Sequence, residues 1–182
     1  MTDAIEIEKY KIIFSKPVVL KSPYYMRRIT LDKNVVNNEF IIQTPILSTF
    51  GPKPDSYNKG HYVALYLYSH VVNKQQHLFF EQFNKIINIC KEFLYKNASS
   101  LGLSINYITN NFSPIFFKND VPIIYPKIII SDTDNIFSST FYNIKGDEVD
   151  PFTSRCDYVK GIIKLEYIIL IDNRAHLEFR LI

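Results

Sequence analysis

The chain has no tryptophan, two cysteines, five glycines and no acidic tail, and each shortage removes a class of function. With so few glycines there is no loop of successive free N–H groups to cradle a phosphate. Gly51-Pro52-Lys53-Pro54 is too rich in proline to supply one. Cys90 and Cys156 have no neighbouring cysteine or histidine at metal-ligand spacing, and His61, His70, His77 and His176 do not recur on one helix face. No cofactor or metal is expected. Asp132-Thr133-Asp134-Asn135 opens as a calcium loop does, but Phe137 stands where the loop needs glycine and Asn143 where it needs glutamate. No nucleophile elbow or catalytic loop is present, so the expectation is a binding protein rather than an enzyme. No apolar run approaches the length of a membrane span, and Met1-Thr2-Asp3-Ala4-Ile5-Glu6 lacks the basic start of a secretory signal. A soluble, cytoplasmic chain with no membrane partner follows as an expectation, with Cys90 a buried, reduced thiol.

What the chain has is aromatic residues and unevenly spread charge. Its 182 residues include 14 Phe and 13 Tyr, and the formal net charge is only +3. Between Lys9 and Lys59, nine basic residues stand against Asp32, Glu39 and Asp55, whereas the charged residues of 131–157 are mostly acidic, six against Lys145 and Arg155. Such asymmetry suits a polyanion-binding face, or charge scattered over solvated surfaces. The length fits one domain spanning 1–182, and neither repeats nor a linker divide it.

Strand patterns dominate. Alternation marks strands at Ile5 to Phe14, Tyr25 to Leu31, Val35 to Thr44 and Tyr62 to Ser69. Further strands are expected at Ser113 to Phe117, Ile123 to Ile130 and Ile136 to Ile144, the last pairing near Val149. Gly161 to Ile171 and Ala175 to Leu181 form a closing hairpin. Pro45 to Gly60, with three prolines and two glycines, reads as a long loop. One helix is expected over 76–97, because Phe79, Phe83, Ile86, Ile87, Cys90 and Leu94 recur at steps of three and four. The fold class is mainly β: a Greek-key barrel like the OB-fold, with elaborations and one long amphipathic helix, or else a split α+β sandwich.

Rings and cations occur side by side. Lys21-Ser22-Pro23-Tyr24-Tyr25-Met26-Arg27-Arg28 sets two tyrosines beside two arginines, and Phe50-Gly51-Pro52-Lys53 sets a ring beside a lysine. Tyr62, Tyr66 and Tyr68 share one face of a strand, which is either the inner side of a second layer or a contact face. Of Arg27 and Arg28, alternation turns one inward. Single-strand binders use this mixture because cations follow phosphates while rings stack on bases. The candidate site is therefore Lys21, Tyr24, Tyr25, Arg27, Arg28, Phe50, Lys53, Tyr66 and Tyr68.

Phe40-Ile41-Ile42-Gln43-Thr44-Pro45-Ile46-Leu47, followed by Phe50-Gly51, resembles a strand-and-loop motif of single-stranded-DNA-binding proteins from large cytoplasmic DNA viruses and from linear cytoplasmic plasmids of yeasts. The Tyr62 to Tyr68 strand, the helix after it, Ser113-Pro114-Ile115-Phe116-Phe117-Lys118 with Pro122, and Lys160-Gly161 before the final hairpin follow in similar order. The abundance of Ile, Asn, Lys, Tyr and Phe suits the AT-rich coding of such elements. The resemblance implies an OB-fold core, cooperative coating of exposed single strands during replication with self-association into oligomers, and no metal or cofactor. It departs at Leu181-Ile182, where many single-strand binders carry an acidic recruiting tail. Alternatives are a structural or virion module for protein–protein contact and an RNA-binding OB module.

Overall fold

The structure, a computed structural model, describes residues 11–20, 26–33, 38–54, 60–68, 73–128, 139–143, 145–151 and 157–182. Among these are twelve strands and two helices: β1 Ile12–Phe14, β2 Val18–Leu20, β3 Met26–Lys33, β4 Phe40–Gln43, β5 Leu47–Pro54, β6 His61–Tyr66, α1 Lys74–Leu101, α2 Ile105–Asn111, β7 Phe116–Lys118, β8 Val121–Ile124, β9 Lys127–Ile128, β10 Tyr158–Val159, β11 Ile162–Ile171 and β12 Arg174–Leu181. The fold is β-rich with one long helix, the class that the residue periodicity predicts. Backbone contacts divide the chain into two compact units, each drawn from three separated segments.

The first unit comprises Met1–Ile41, Phe79–Pro114 and Leu165–Glu178. Its centre is β3, paired antiparallel with β11 on one side and with β1 and then β2 on the other. Pro17 separates β1 from β2, and Ser15 carries the ladder toward the gap. Its N–H donates to the Thr30 carbonyl, and its hydroxyl accepts from the Thr30 N–H. The predicted helical stripe is found: Phe79, Phe83, Ile86, Ile87, Cys90 and Leu94 are all buried. Each large apolar side chain so buried contributes about 1.5–3 kcal/mol. Phe14 of β1 stacks on Phe93 with centroids 4.0 Å apart.

The helix outruns its expected bounds because Ala98 and Leu101 extend the same stripe, and both are buried. It ends at Gly102, whose φ of 66° permits a Schellman motif. Leu103 N–H bonds the Ala98 carbonyl, and Gly102 N–H bonds the Ser99 carbonyl. Arg27 then donates from Nη2 to the Leu101 carbonyl at 2.6 Å, satisfying a further orphan acceptor at the negative end of the helix. The short α2, not anticipated from periodicity, buries Ile108 and is followed by buried Phe112. The turn at Asp172 and Asn173 joins β11 to β12 where the closing hairpin is expected, with Asp172 at φ 51°.

The second unit comprises Ile42–Leu78, Ile115–Lys164 and Phe179–Ile182. The Asn73 side-chain oxygen here caps the start of α1, accepting from the N–H groups of Gln75 and Gln76. The stretch expected to be a loop from Pro45 to Gly60 is instead strand β5 over Leu47–Pro54. Two features override its breakers. Leu47 and Thr49 alternate inward and are buried, and the prolines sit where their missing N–H is not needed. Val63, opposite Pro52, sends its own N–H the other way, to the Pro126 carbonyl. Pro52 therefore faces β6 at a non-hydrogen-bonded position. The strand expected over Ile123 to Ile130 is broken at Tyr125-Pro126 into β8 and β9, which keep one register against β6. Phe116 to Lys118 pairs with β8 through the two-residue turn Asn119-Asp120, both at positive φ, so this strand starts later than Ser113. Tyr142 bridges Glu148 across a turn that the Asn143 side chain organises by accepting from the Lys145 and Asp147 N–H groups.

Candidate functional site

Strand β6 decides the site, because its alternation separates two unlike faces. Val63, Leu65 and Leu67 are buried, while Tyr62, Tyr66 and Tyr68 are half-buried. The tyrosines thus line a face that stays partly open to solvent and is not a fully buried inner layer. Residues opposite one another in neighbouring strands lie on the same face. The register therefore sets Tyr158, Ser48, Tyr66, Ile123 and Phe116 in one row across β10, β5, β6, β8 and β7. Both ends of the row are open: Tyr158 is 67% exposed and Phe116 57%.

Between Tyr62 and Tyr66 on this face lies Ala64, whose single methyl is buried. On one side β5 carries an extra residue between Thr49 and Pro52, a bulge that Gly51 permits at φ 76°. The Thr49 hydroxyl steadies it by accepting from the Gly51 N–H. The bulge presents Phe50, 69% exposed, with its ring edge-on to Tyr66 at 5.5 Å. On the other side the shared register of β8 and β9 brings Tyr125 opposite Ala64. The Tyr125 ring meets Tyr62 and Phe116 edge-on, each at 5.4 Å. Burial, and then the nearby Tyr66 and Tyr62 phenols, push the Tyr125 hydroxyl above its usual range.

Phe50, Tyr66, Tyr68 and Tyr158 surround a groove of about 370 Å³ over the small side chain of Ser48, with Asp157 in its lining. A planar, stackable group suits such a wall of rings. Among the described residues no group of three or more His, Cys, Asp and Glu side chains could hold a metal ion, and no helix is long and apolar enough to cross a membrane.

Residues 5–182, which include all of these rings, match the family model described as protein of unknown function (DUF2738). The chain belongs to the DUF2738 family. No curated protein and no solved structure matches it.

Of the residues that the sequence nominates in this DUF2738 chain, Phe50, Tyr66 and Tyr68 converge on the groove. Lys53 joins the same face, exposed and opposite Tyr62. Arg27 and Arg28 lie instead in the first unit. Arg27 is committed to the end of α1, and the Arg28 guanidinium sits over the Tyr167 ring at 5.1 Å. Both make these contacts within that unit. Lys21, Tyr24 and Tyr25 fall outside the described residues. Sequence reasoning passed over Tyr158, Tyr125 and Phe116. Phe116 stands in a run already noted for its resemblance, but nothing local distinguishes Tyr158 or Tyr125, which reach the face only through pairing.

Proposed function

We propose that this face binds single-stranded DNA without reading its sequence, protecting strands exposed during replication. The observation that supports this reading best is the set of exposed rings: Phe50, Tyr158 and Phe116 leave more than half of their surface in solvent on one strand face. Exposed rings held by a rigid sheet offer stacking surfaces to unpaired bases, and each stack is worth about 1–3 kcal/mol. Every base has a flat face, so such binding tolerates any sequence.

Fluorescence anisotropy of a labelled oligonucleotide tests the reading. Binding at about micromolar affinity or tighter to a single strand, weaker to the matching duplex, is the expected result. No binding to the single strand would overturn it. A matched RNA that competes more strongly than DNA would move the assignment to RNA. Strand β7 favours a second reading, since its Phe116 and Phe117 are both largely exposed and, among the described residues, it pairs only with β8. Concentration-dependent self-association in sedimentation, without affinity for any oligonucleotide, would select a protein–protein contact module instead.

A further inference from the structure

Along β6, Tyr62 lies four residues from Tyr66, about 13 Å at the rise of a strand. At that level a second row crosses the same face. Lys53 of β5 is opposite Tyr62, Tyr62 is opposite Lys127 of β9, and Lys127 is paired in parallel with Arg180 of β12. Lys53 and Lys127 are exposed and Arg180 is half-buried. Three cations thus share one face across four adjacent strands, a reach of about 14 Å at the usual spacing between strands. None of this is visible along the chain, because the three residues are separated by 74 and 53 positions and meet only through register.

We infer that Lys53, Lys127 and Arg180 form the phosphate track of the bound strand, which crosses the β-strands with its bases turned toward the Phe50–Tyr66–Tyr158 groove. The inference rests on the single-strand reading above and assigns its two halves to two rows. Charge supports the division. The aromatic row carries no cation and has Asp157 in its groove, which repels phosphate, whereas the Tyr62 row carries three cations. Tyr62 in the middle of the track presents a ring and a hydroxyl between the lysines.

Salt titration separates the two rows. Each phosphate neutralised on a single strand contributes about 0.7 to the slope of log affinity against log salt, so this row alone gives a slope of about −2. K53Q and K127Q, both at exposed positions, should each make the slope shallower by about 0.7 and the double variant by about 1.4. R180K should keep most of the slope, and F50A should lower affinity while leaving the slope unchanged. If the double variant binds single strands with the wild-type slope, the track is wrong while single-strand binding stands. If the wild type binds no oligonucleotide at all, both readings fall together.

Discussion

Gly51 sits where β5 holds one residue more than β6, at a φ of 76°. Replacing it with alanine tests whether the bulge, rather than the exposed residue itself, creates the site. A Cβ built there would meet nothing closer than the Pro151 carbonyl oxygen at 3.8 Å, an ordinary contact. Crowding is therefore not the issue. The cost is the left-handed backbone, about 1–2 kcal/mol for an L-residue. For a chain of this length that lowers Tm by about 2–8 °C. If the chain relieves the strain by flattening the bulge, Phe50 leaves the Tyr66 face and one stack is lost, a fall in affinity of about 5- to 150-fold. Gly51→Asn should recover part of both losses, since asparagine tolerates this region better. Thermal denaturation and oligonucleotide titration on the same samples read the two effects. A Gly51→Ala protein with wild-type Tm and wild-type affinity would refute the reasoning.

Three other outcomes follow from the geometry. Ala64→Leu enlarges a buried side chain between Tyr62 and Tyr66, and overpacking of this kind should cost about 1–3 kcal/mol in urea denaturation and, by displacing the neighbouring rings, weaken oligonucleotide binding; unchanged stability and binding would contradict its tight packing. Arg27→Ala removes a charged hydrogen bond to the Leu101 carbonyl, for an expected loss of about 1.5–3 kcal/mol in stability with no change in the salt slope of binding. Burial pushes the Cys90 thiol from 9.0 up to about 12, so its folded value lies above its unfolded one. The stabilising contribution is then complete below pH 9 and declines as pH rises from 9 toward 12, which denaturation at stepped pH would register. In a Cys156→Ser background, Cys90 should resist a thiol reagent at pH 8 until the protein is unfolded; prompt labelling of the native state would contradict its burial.

How far the sequence carries depends on whether the deciding contacts are local. The α1 stripe, the β6 alternation and the turn at Asp172-Asn173 depend on neighbours within a few residues, and all three are legible. The β5 strand was hidden because composition counts prolines without knowing which N–H groups the ladder needs. Pro52 is harmless there only because Val63 bonds elsewhere. The division into two units is equally hidden, since each unit interleaves three segments and no linker marks a boundary. In the site, Phe50 and Lys53 stand out as a ring beside a cation, and Tyr66 and Tyr68 as a stripe. Tyr158, Lys127 and Arg180 become candidates only when register sets them opposite Ser48, Tyr62 and each other. Arg27 and Arg28 stand beside Tyr24 and Tyr25 in the sequence, but their contacts with Leu101 and Tyr167 arise only from the fold.

The chain contains 13 tyrosines and no tryptophan, so its own emission is tyrosine emission, to which Tyr66, Tyr68 and Tyr158 of the groove contribute. The most direct measurement is a titration with an unlabelled single-stranded oligonucleotide followed by tyrosine fluorescence, run on the wild type and on a Phe50→Ala, Tyr158→Ala double variant. Saturable quenching of the wild type, with affinity lowered about 30-fold or more in a variant that melts at the wild-type temperature, is the predicted result. A wild type whose emission and anisotropy ignore the oligonucleotide, or a double variant that binds it as tightly, would contradict the account.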